Sequence, residues 1–105
     1  FTHKDEAIME DRYRKTIEVV RRLIKTGKVV FSPIVHNYHL GFRGFDFWKP
    51  FDFEFLKRSD EMGVLRLEGW QGSNGLSEEI RFARVSGIAV SFIDYEENDT
   101  YDQNP

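Results

Sequence analysis

The sequence predicts an α/β domain with a parallel sheet. Helical segments alternate with short apolar segments of strand character, and this alternation is typical of helices that cross from one parallel strand to the next. The 105 residues show no internal repeat and no domain boundary. We therefore expect a single domain over residues 1–95, followed by an acidic, frayed tail over residues 96–105.

Composition excludes several classes of protein. The net charge is −3 with both signs mixed along the chain, so no basic stripe predicts nucleic-acid binding. No run of apolar residues approaches the length of a membrane span, and we expect no membrane partner. The absence of cysteine fits a cytoplasmic protein and rules out thiolate chemistry and cysteine-based zinc sites.

The first predicted element is a helix over residues 4–26. Its apolar side chains recur every three or four residues, at Tyr13, Ile17, Val20, Leu23 and Ile24. Gly27 is expected to follow the end of this helix. The β-branched and aromatic segment "KVVFSP" at 28–33 then predicts a strand that Pro33 ends.

The second half of the chain continues the alternation. Pro50 is expected in the first turn of a helix over residues 50–59. Strands are predicted at 62–67 and 88–94, and the segment between them predicts a helix at 75–86.

The order of these elements bears on the sheet and on its ligand site. Folds of this kind normally open on a strand, whereas this chain opens on a helix. We infer either that a first strand is missing or that the sheet is completed in some other way. Ligands of open α/β sheets bind at the carboxyl ends of the strands. We therefore expect three loops to border one crevice: residues 32–39, residues 68–75 and the residues before Phe1.

Two adjacent acids follow the Gly-rich loop "EGWQGSNG". At 100° per residue, Glu78 lies about 160° from Leu76 on the solvent side, where it can pair with Arg81, whereas Glu79 lies about 60° from Leu76. Glu79 therefore borders the buried face, which is formed by Leu76, Ile80 and Ala83. Either both acids only complement the helix dipole, worth about 0.3–1 kcal/mol each, or Glu79 has a chemical role at the crevice.

Asp52 presents the same conflict in the helix at 50–59. It projects between Phe55 and Leu56 on the apolar face. Burial of an unpaired charge costs several kcal/mol, so stability does not explain this residue. Asp52 either caps its own helix or has a function, whereas Asp60 is expected to fix a turn.

Three segments carry a resemblance to a known superfamily: "GKVVFSPIVHNYHL", "DFWKPFDFEFLKRSDEMGVLRLEGWQGS" and "GLSEEIRFA". Together they span most of residues 27–83. They resemble the nucleoside 2-deoxyribosyltransferase superfamily, which includes deoxynucleoside 5′-monophosphate N-glycosidases. The likeness is closest to a small bacterial and phage branch.

The resemblance implies roles for two carboxylates. In that superfamily a nucleophilic Glu lies four residues after a Gly and precedes an apolar residue and, four positions on, a small residue. The matching residues are Gly75, Glu79, Ile80 and Ala83. The active-site Asp of the family lies eight residues before another Asp, and Asp52 and Asp60 match that spacing.

The resemblance also bears on substrate, fold and assembly. Ser73 lies six residues before Glu79, where the transferases tend to carry Asp and the monophosphate glycosidases Ser. This favours a ligand with a 5′-phosphate. The implied fold is a flavodoxin-like or Rossmann-like three-layer sandwich with a mostly parallel sheet. The implied assembly is a homodimer or a larger homo-oligomer, and we expect no cofactor.

The implied reaction is hydrolysis or transfer at the N-glycosidic bond of a nucleoside or nucleotide. Glu79 would attack C1′ to form a covalent glycosyl ester, and Asp52 would orient Glu79 or protonate the leaving base. Expected phosphate contacts are Ser73, Asn74 and the helix start at Gly75. Expected contacts to the rest of the substrate are His36, Trp48 and Trp70.

Two groups of residues allow other interpretations. His36 and His39 have the spacing of a metal pair, but no third ligand has matching spacing, so we expect no metal. Six phenylalanines are too many for a small core, and we expect a subunit interface formed by Phe42, Phe45, Phe47, Phe51, Phe53 and Phe55.

Two alternatives to an enzyme stay open. One is a nucleotide-binding module without turnover, acting as a sensor or ligand sponge. The other is an interaction domain that uses the aromatic surface, with the phenylalanines exposed in the monomer. The presence of Glu79, Asp52 and Ser73 together favours the enzyme.

Overall fold

The computed structural model describes residues 6–41 and 44–96. These residues form a mixed α/β arrangement of four α-helices, two strands and one 3-10 turn. In chain order the elements are α1 (Glu6–Lys25), α2 (Pro33–Asn37), α3 (Phe45–Lys57), β1 (Glu61–Arg66), the 3-10 turn (Trp70–Gly72), α4 (Asn74–Val85) and β2 (Ala89–Asp94). None of the helices in the described part of the chain is long and apolar enough to cross a bilayer.

The two strands pair in parallel, as the alternation of elements predicts. The register runs from Glu61 opposite Ala89 to Arg66 opposite Asp94, and α4 is the crossover that joins the strands. Arg66 donates two hydrogen bonds of 2.9 Å to the carboxylate of Asp94 at the carboxyl end of the pair. The α/β class is therefore confirmed, with a pairing of two strands among the described residues.

A small core lies where the helices meet the sheet. The buried apolar side chains of the described residues are Val19 on α1, Val64 on β1 and Ala83 on α4. Gly63 leaves room for Ile93 of the neighbouring strand, because a Cβ at Gly63 would lie 2.8 Å from Ile93 Cδ1.

Helix α1 is tied to the carboxyl ends of both strands. The hydroxyl of Tyr95, which follows β2, donates to the buried carboxylate of Glu18 at 3.1 Å, and Arg14 forms an ion pair with the same carboxylate. Arg12 donates to the backbone carbonyl of Glu68, which follows β1, at 2.9 Å. Polar contacts therefore hold α1 where the strand-end loops begin.

The prediction of a strand at 28–33 was wrong. Residues 28–32 form no regular element, and Pro33 begins α2 instead of ending a strand. The Ser32 hydroxyl caps this short helix by accepting from the backbone N–H of Val35. A β-branched segment becomes a strand only when another strand pairs with it, and no ladder reaches 28–32 within the described residues.

Two helix boundaries also bear on the predictions. Gly27 follows α1 with φ +97°, as expected of a residue that ends a helix. Helix α3 begins at Phe45, five residues before Pro50, so the prediction that Pro50 lies in the first turn was wrong. Pro50 cannot donate to the carbonyl of Asp46, and the helix continues past this one missing hydrogen bond.

Part of the expected organisation concerns residues that the structure does not describe. The acidic tail predicted at 96–105 lies outside the described residues apart from Glu96, and so does Phe42 of the predicted aromatic interface. Residues 1–5, before which a first strand was inferred, also lie outside the described residues.

Candidate functional site

Asp52 of α3 is buried although it is ionisable. Asp52 is 6% exposed, and its Oδ1 accepts a hydrogen bond of 3.1 Å from the side-chain amide of Asn37 at the end of α2. Burial raises the pKa of Asp52, whereas the Asn37 hydrogen bond and the charge of His36 oppose this rise. Within the described residues no ion pair reaches Asp52, so the predicted conflict on the apolar face of this helix is confirmed.

Glu78 and Glu79 differ as the helical geometry predicts. Glu78 is exposed, and its Oε1 lies 2.8 Å from Nζ of Lys49 on α3, so its partner is Lys49 rather than the predicted Arg81. Glu79 is half-buried on the inner side of α4. No ion pair or hydrogen bond from the described residues reaches the carboxylate of Glu79. Its protonation therefore depends on burial and on charges that do not contact it directly.

The two inner carboxylates act on each other electrostatically. Burial raises the pKa of Glu79 to about 7, and the negative charge of Asp52 adds to this rise. A carboxyl group with a pKa of about 7 retains its proton in part at neutral pH. The pair can therefore present one carboxylate and one carboxylic acid at the same time, which is the combination that nucleophilic attack with acid assistance requires.

Aromatic rings cluster around His36, whose neighbour Asn37 is the hydrogen-bond partner of Asp52. The imidazole of His36 stacks on Phe51 with ring centroids 5.2 Å apart and meets Trp48 edge-on at 6.2 Å. Phe31 stacks on Phe55 at 4.0 Å and contacts His36 at 5.5 Å. Two predicted ligand contacts, His36 and Trp48, are thus brought together beside Asp52, which lies one turn of α3 after Trp48.

The start of α4 carries three predicted phosphate contacts. The Ser73 hydroxyl caps the helix by accepting from the backbone N–H of Leu76 at 3.2 Å. Asn74 is exposed at the first position of the helix. A Cβ at Gly75 would lie 2.9 Å from the ring of Phe45, so this glycine lets the starts of α3 and α4 approach closely. Ser73 and Gly75 therefore have structural roles whether or not they bind a ligand.

Trp70 and His39 are placed apart from the aromatic group around His36. The ring of Trp70 packs on Phe92 of β2 at 5.7 Å. The imidazole of His39 meets Tyr13 and Tyr38 edge-on at 5.0 Å and 4.7 Å. His36 and His39 thus belong to different clusters, and the described residues contain no group of three or more His, Asp or Glu side chains arranged for a metal ion.

The predicted aromatic interface is largely exposed where it is described. The exposed fraction is 52% for Phe47, 37% for Phe51 and 41% for Phe55, whereas Phe45 and Phe53 are half-buried. Phe53 packs on Phe82 of α4 with centroids 4.5 Å apart. One face of α3 therefore packs against α4, and the other presents large apolar side chains to solvent.

Asn37 is the residue of this site that sequence reasoning missed. It is 8% exposed and contacts both His36 and Asp52 through its side-chain amide. Its position beside a predicted ligand contact was visible in the sequence. Its burial was not, because the segment was predicted to be a loop and its contact with α3 spans 15 residues.

One protein family matches the chain. The family model described as Domain of unknown function (DUF1937) matches residues 1–95. No curated protein and no solved structure matches the chain.

Proposed function

The chain belongs to the DUF1937 family, and we propose that it breaks or exchanges the N-glycosidic bond of a nucleoside or nucleoside 5′-monophosphate through a covalent ester on Glu79. One observation carries the proposal: Asp52 on α3 and Glu79 on α4 are carboxylates without an ion-pair partner among the described residues, burial raises the pKa of both, and the charge of Asp52 raises the pKa of Glu79 further. Surface acids of a purely structural helix pair would be ion-paired or solvated instead.

The proposed first step uses the two carboxylates in different states. A deoxyribosyl C–N bond breaks through an oxocarbenium-like transition state, which retaining glycosidases stabilise with two carboxylates. The Glu79 carboxylate forms a bond to C1′ while the C1′–N bond breaks and its electron pair leaves with the base. The proton that Glu79 holds at rest, because its pKa is raised to about 7, passes to Asp52 when substrate binds and from Asp52 to the leaving base nitrogen, so Glu79 attacks as a carboxylate and charge does not accumulate.

The second step returns the pair to its starting state. A water molecule attacks C1′ of the ester, and the Asp52 carboxylate takes a proton from that water. The C1′–O bond to Glu79 breaks, and the sugar leaves with a new hydroxyl group. A second base in place of water gives transfer instead of hydrolysis, so the same residues serve both reactions.

The remaining predicted residues have places in this proposal. The substrate base lies against the rings of His36 and Trp48, which already stack or meet edge-on beside Asp52. The 5′-phosphate lies at the start of α4 near Ser73, Asn74 and Gly75, because backbone N–H groups there favour anions. Trp70 packs on Phe92, so its contact with substrate requires that the substrate extend toward β2.

The proposal includes a finer fold and an assembly. The parallel pairing of β1 and β2 across helix α4 supports a flavodoxin-like or Rossmann-like three-layer sandwich related to the nucleoside 2-deoxyribosyltransferase superfamily. The exposed rings of Phe47, Phe51 and Phe55 support a homodimer or larger homo-oligomer, because a monomer would leave this apolar face in water.

The same exposed rings favour a second candidate, an interaction domain without catalysis. In that case the apolar face of α3 binds another protein, and the inner carboxylates have no substrate. The enzyme is preferred because an interaction surface gives no reason to bury Asp52, or to leave Glu79 without an ion-pair partner among the described residues.

A base-release assay tests the proposal. The protein is incubated with deoxynucleosides and their 5′-monophosphates, and free base is followed by chromatography beside a Glu79→Ala variant. We expect base release that the variant lacks, with monophosphates preferred and that preference weakened by Ser73→Ala. Absence of base release from every substrate, with specific retention of monophosphates, would favour the binding module.

A further inference from the structure

The side chain of Asn37 lies between an exposed histidine and the buried aspartate. Its Nδ2 donates to Oδ1 of Asp52 at 3.1 Å, and its Oδ1 lies 2.6 Å from Nδ1 of His36. Asn37 is 8% exposed and ends the short helix α2, which begins after the Ser32 cap. This contact links α2 to α3 through polar atoms in a largely apolar environment.

The chemistry of an amide fixes the direction of both hydrogen bonds. A carboxylate oxygen only accepts, so the NH₂ group of Asn37 must face Asp52, and the carbonyl oxygen must face His36. A carbonyl oxygen also only accepts, and Nδ1 of His36 must therefore carry a hydrogen. In the neutral imidazole the other nitrogen, Nε2, is then an acceptor.

The imidazole ring is held in place as well as in one tautomer. Its face stacks on Phe51, its edge meets Trp48, and its Nδ1 side is bound by Asn37. The residue is nevertheless exposed, and Nε2 has no hydrogen-bond partner among the described residues. The fixed ring thus presents an acceptor atom beside the carboxylate pair.

We propose that Asn37 is a positioning residue of the reaction: it holds one oxygen of Asp52, leaves the other for proton exchange, and keeps Nε2 of His36 as an acceptor for a donor group on the substrate. This inference rests on the proposed function and deepens it. The substrate would carry a hydroxyl or amino group that donates to His36. Proton uptake and release by Asp52 would depend on Asn37.

The charges that act on Asp52 come from two neighbouring elements. They are His36 on α2, which favours the Asp52 carboxylate when its imidazole is protonated, and Glu79 on α4, whose pKa the charge of Asp52 raises. Lys49, on the same helix as Asp52, pairs with Glu78. A change at Asn37 therefore alters the proton affinity of the pair without removing either carboxylate.

The test variant is Asn37→Asp, which keeps the shape but replaces the donor to Asp52 by a third carboxylate. We expect kcat to fall at least about tenfold with less than a threefold change in KM. We also expect the alkaline limb of the pH–rate profile to move to higher pH, because the added negative charge makes the pair hold its proton more tightly.

The control variant is Thr16→Val. Thr16 is also 8% exposed, and its hydroxyl donates to the carbonyl of Arg12 at 2.7 Å, so this variant removes a buried hydrogen bond far along the chain from the site. It should lower the melting temperature and leave the pH profile unchanged. Nitrogen NMR of the wild-type imidazoles gives a second readout, and we expect the Nδ1–H tautomer for His36.

The outcomes separate this inference from the proposed function. Base release by the wild type together with a displaced profile in Asn37→Asp supports both. Base release with an unchanged kcat and profile in Asn37→Asp, or an Nε2–H tautomer at His36, overturns the positioning role alone. If Asn37→Asp does not fold, the tautomer decides. Failure of the wild type to release base from any substrate overturns the proposed function and this role with it.

Discussion

Acids on the outer faces of the helices differ from the two acids at the junction of α3 and α4. On the outside, hydrogen bonds from Lys15 and Arg14 hold the pKa of Asp11 below its usual value, and Arg58 does the same for Glu54. These pairs are solvent-exposed, so they contribute little to stability. They are the ordinary arrangement of acids on a helix surface.

The inner acids show the opposite behaviour. Burial raises the pKa of both Asp52 and Glu79, and neither has a cationic partner among the described residues. An arrangement that disfavours ionisation reduces stability at neutral pH, so stability does not explain it. All four acids lie on helices, so what distinguishes the candidate catalytic groups is their position at the α3–α4 junction.

The largest expected effect comes from neutralising adjacent acids one at a time. Glu79→Gln should lower the rate of base release by at least about 10³-fold, because no other group takes over nucleophilic attack. Glu78→Gln should change the rate less than twofold, because this exposed acid only pairs with Lys49. Steady-state kinetics on both variants measures this difference. An equal loss of rate in the two variants would contradict the distinct role of Glu79.

A second expected effect concerns the proton donor. Asp52→Asn should lower the rate of base release by about 10²–10⁴-fold, the range of general acid–base catalysis. A substrate with a better leaving base should lose less, since it depends less on protonation. Rates for two substrates that differ in leaving group measure this, and an equal loss on both would argue against an acid role for Asp52.

The pH–rate profile reports the protonation of the two inner acids. Because the proposed active form holds one proton on the inner pair, kcat/KM should fall about tenfold per pH unit once the pH exceeds about 7, the value to which burial and Asp52 raise the pKa of Glu79. Protonation of both acids should reduce the rate at low pH. A profile that is flat from pH 6 to 9 would contradict proton sharing.

The smallest expected effect is on stability. The pKa of Glu79 is raised from 4.5 to about 7 in the folded protein, so its contribution to the free energy of unfolding is present below pH 4.5 and is lost as the pH rises through 7. Glu79→Gln removes this loss, which is at most about 3 kcal/mol. Its melting temperature should exceed that of the wild type at pH 8, by about 4–8 °C for each kcal/mol of this loss.

The control for this stability measurement is the outer acid. Glu78→Gln should shift the melting temperature little at either pH 5 or pH 8, because its ion pair with Lys49 is exposed. A rise in the melting temperature of Glu79→Gln that is the same at both pH values would show that packing, rather than ionisation, is responsible.

What could be predicted from the sequence is what depends on local geometry. The 3.6-residue period of a helix separated Glu79 from Glu78 and placed Asp52 on a buried face, and both placements are confirmed. The helices at 4–26 and 75–86 and the later strands lie within two residues of their predicted bounds where described. Periodicity reports which side of an element is buried, and that was sufficient for these two carboxylates.

What could not be predicted depends on partners distant in sequence. The segment 28–33 has strand propensity but no ladder in the described residues, so Pro33 begins a helix there. Glu78 pairs with Lys49 on another helix rather than with its neighbour Arg81. Asn37 became part of the candidate site only because α2 brings it to α3. Such contacts carry no periodic signal.

The covalent bond between Glu79 and the sugar can be tested by trapping the intermediate. The wild-type protein is quenched with acid during turnover of a substrate found by the base-release assay, and its intact mass and peptides are measured. We predict an added mass of one sugar on the peptide that contains Glu79, absent from Glu79→Gln and present in Glu78→Gln. Continued base release without any sugar-bearing peptide, or with the sugar on another residue, would contradict the account.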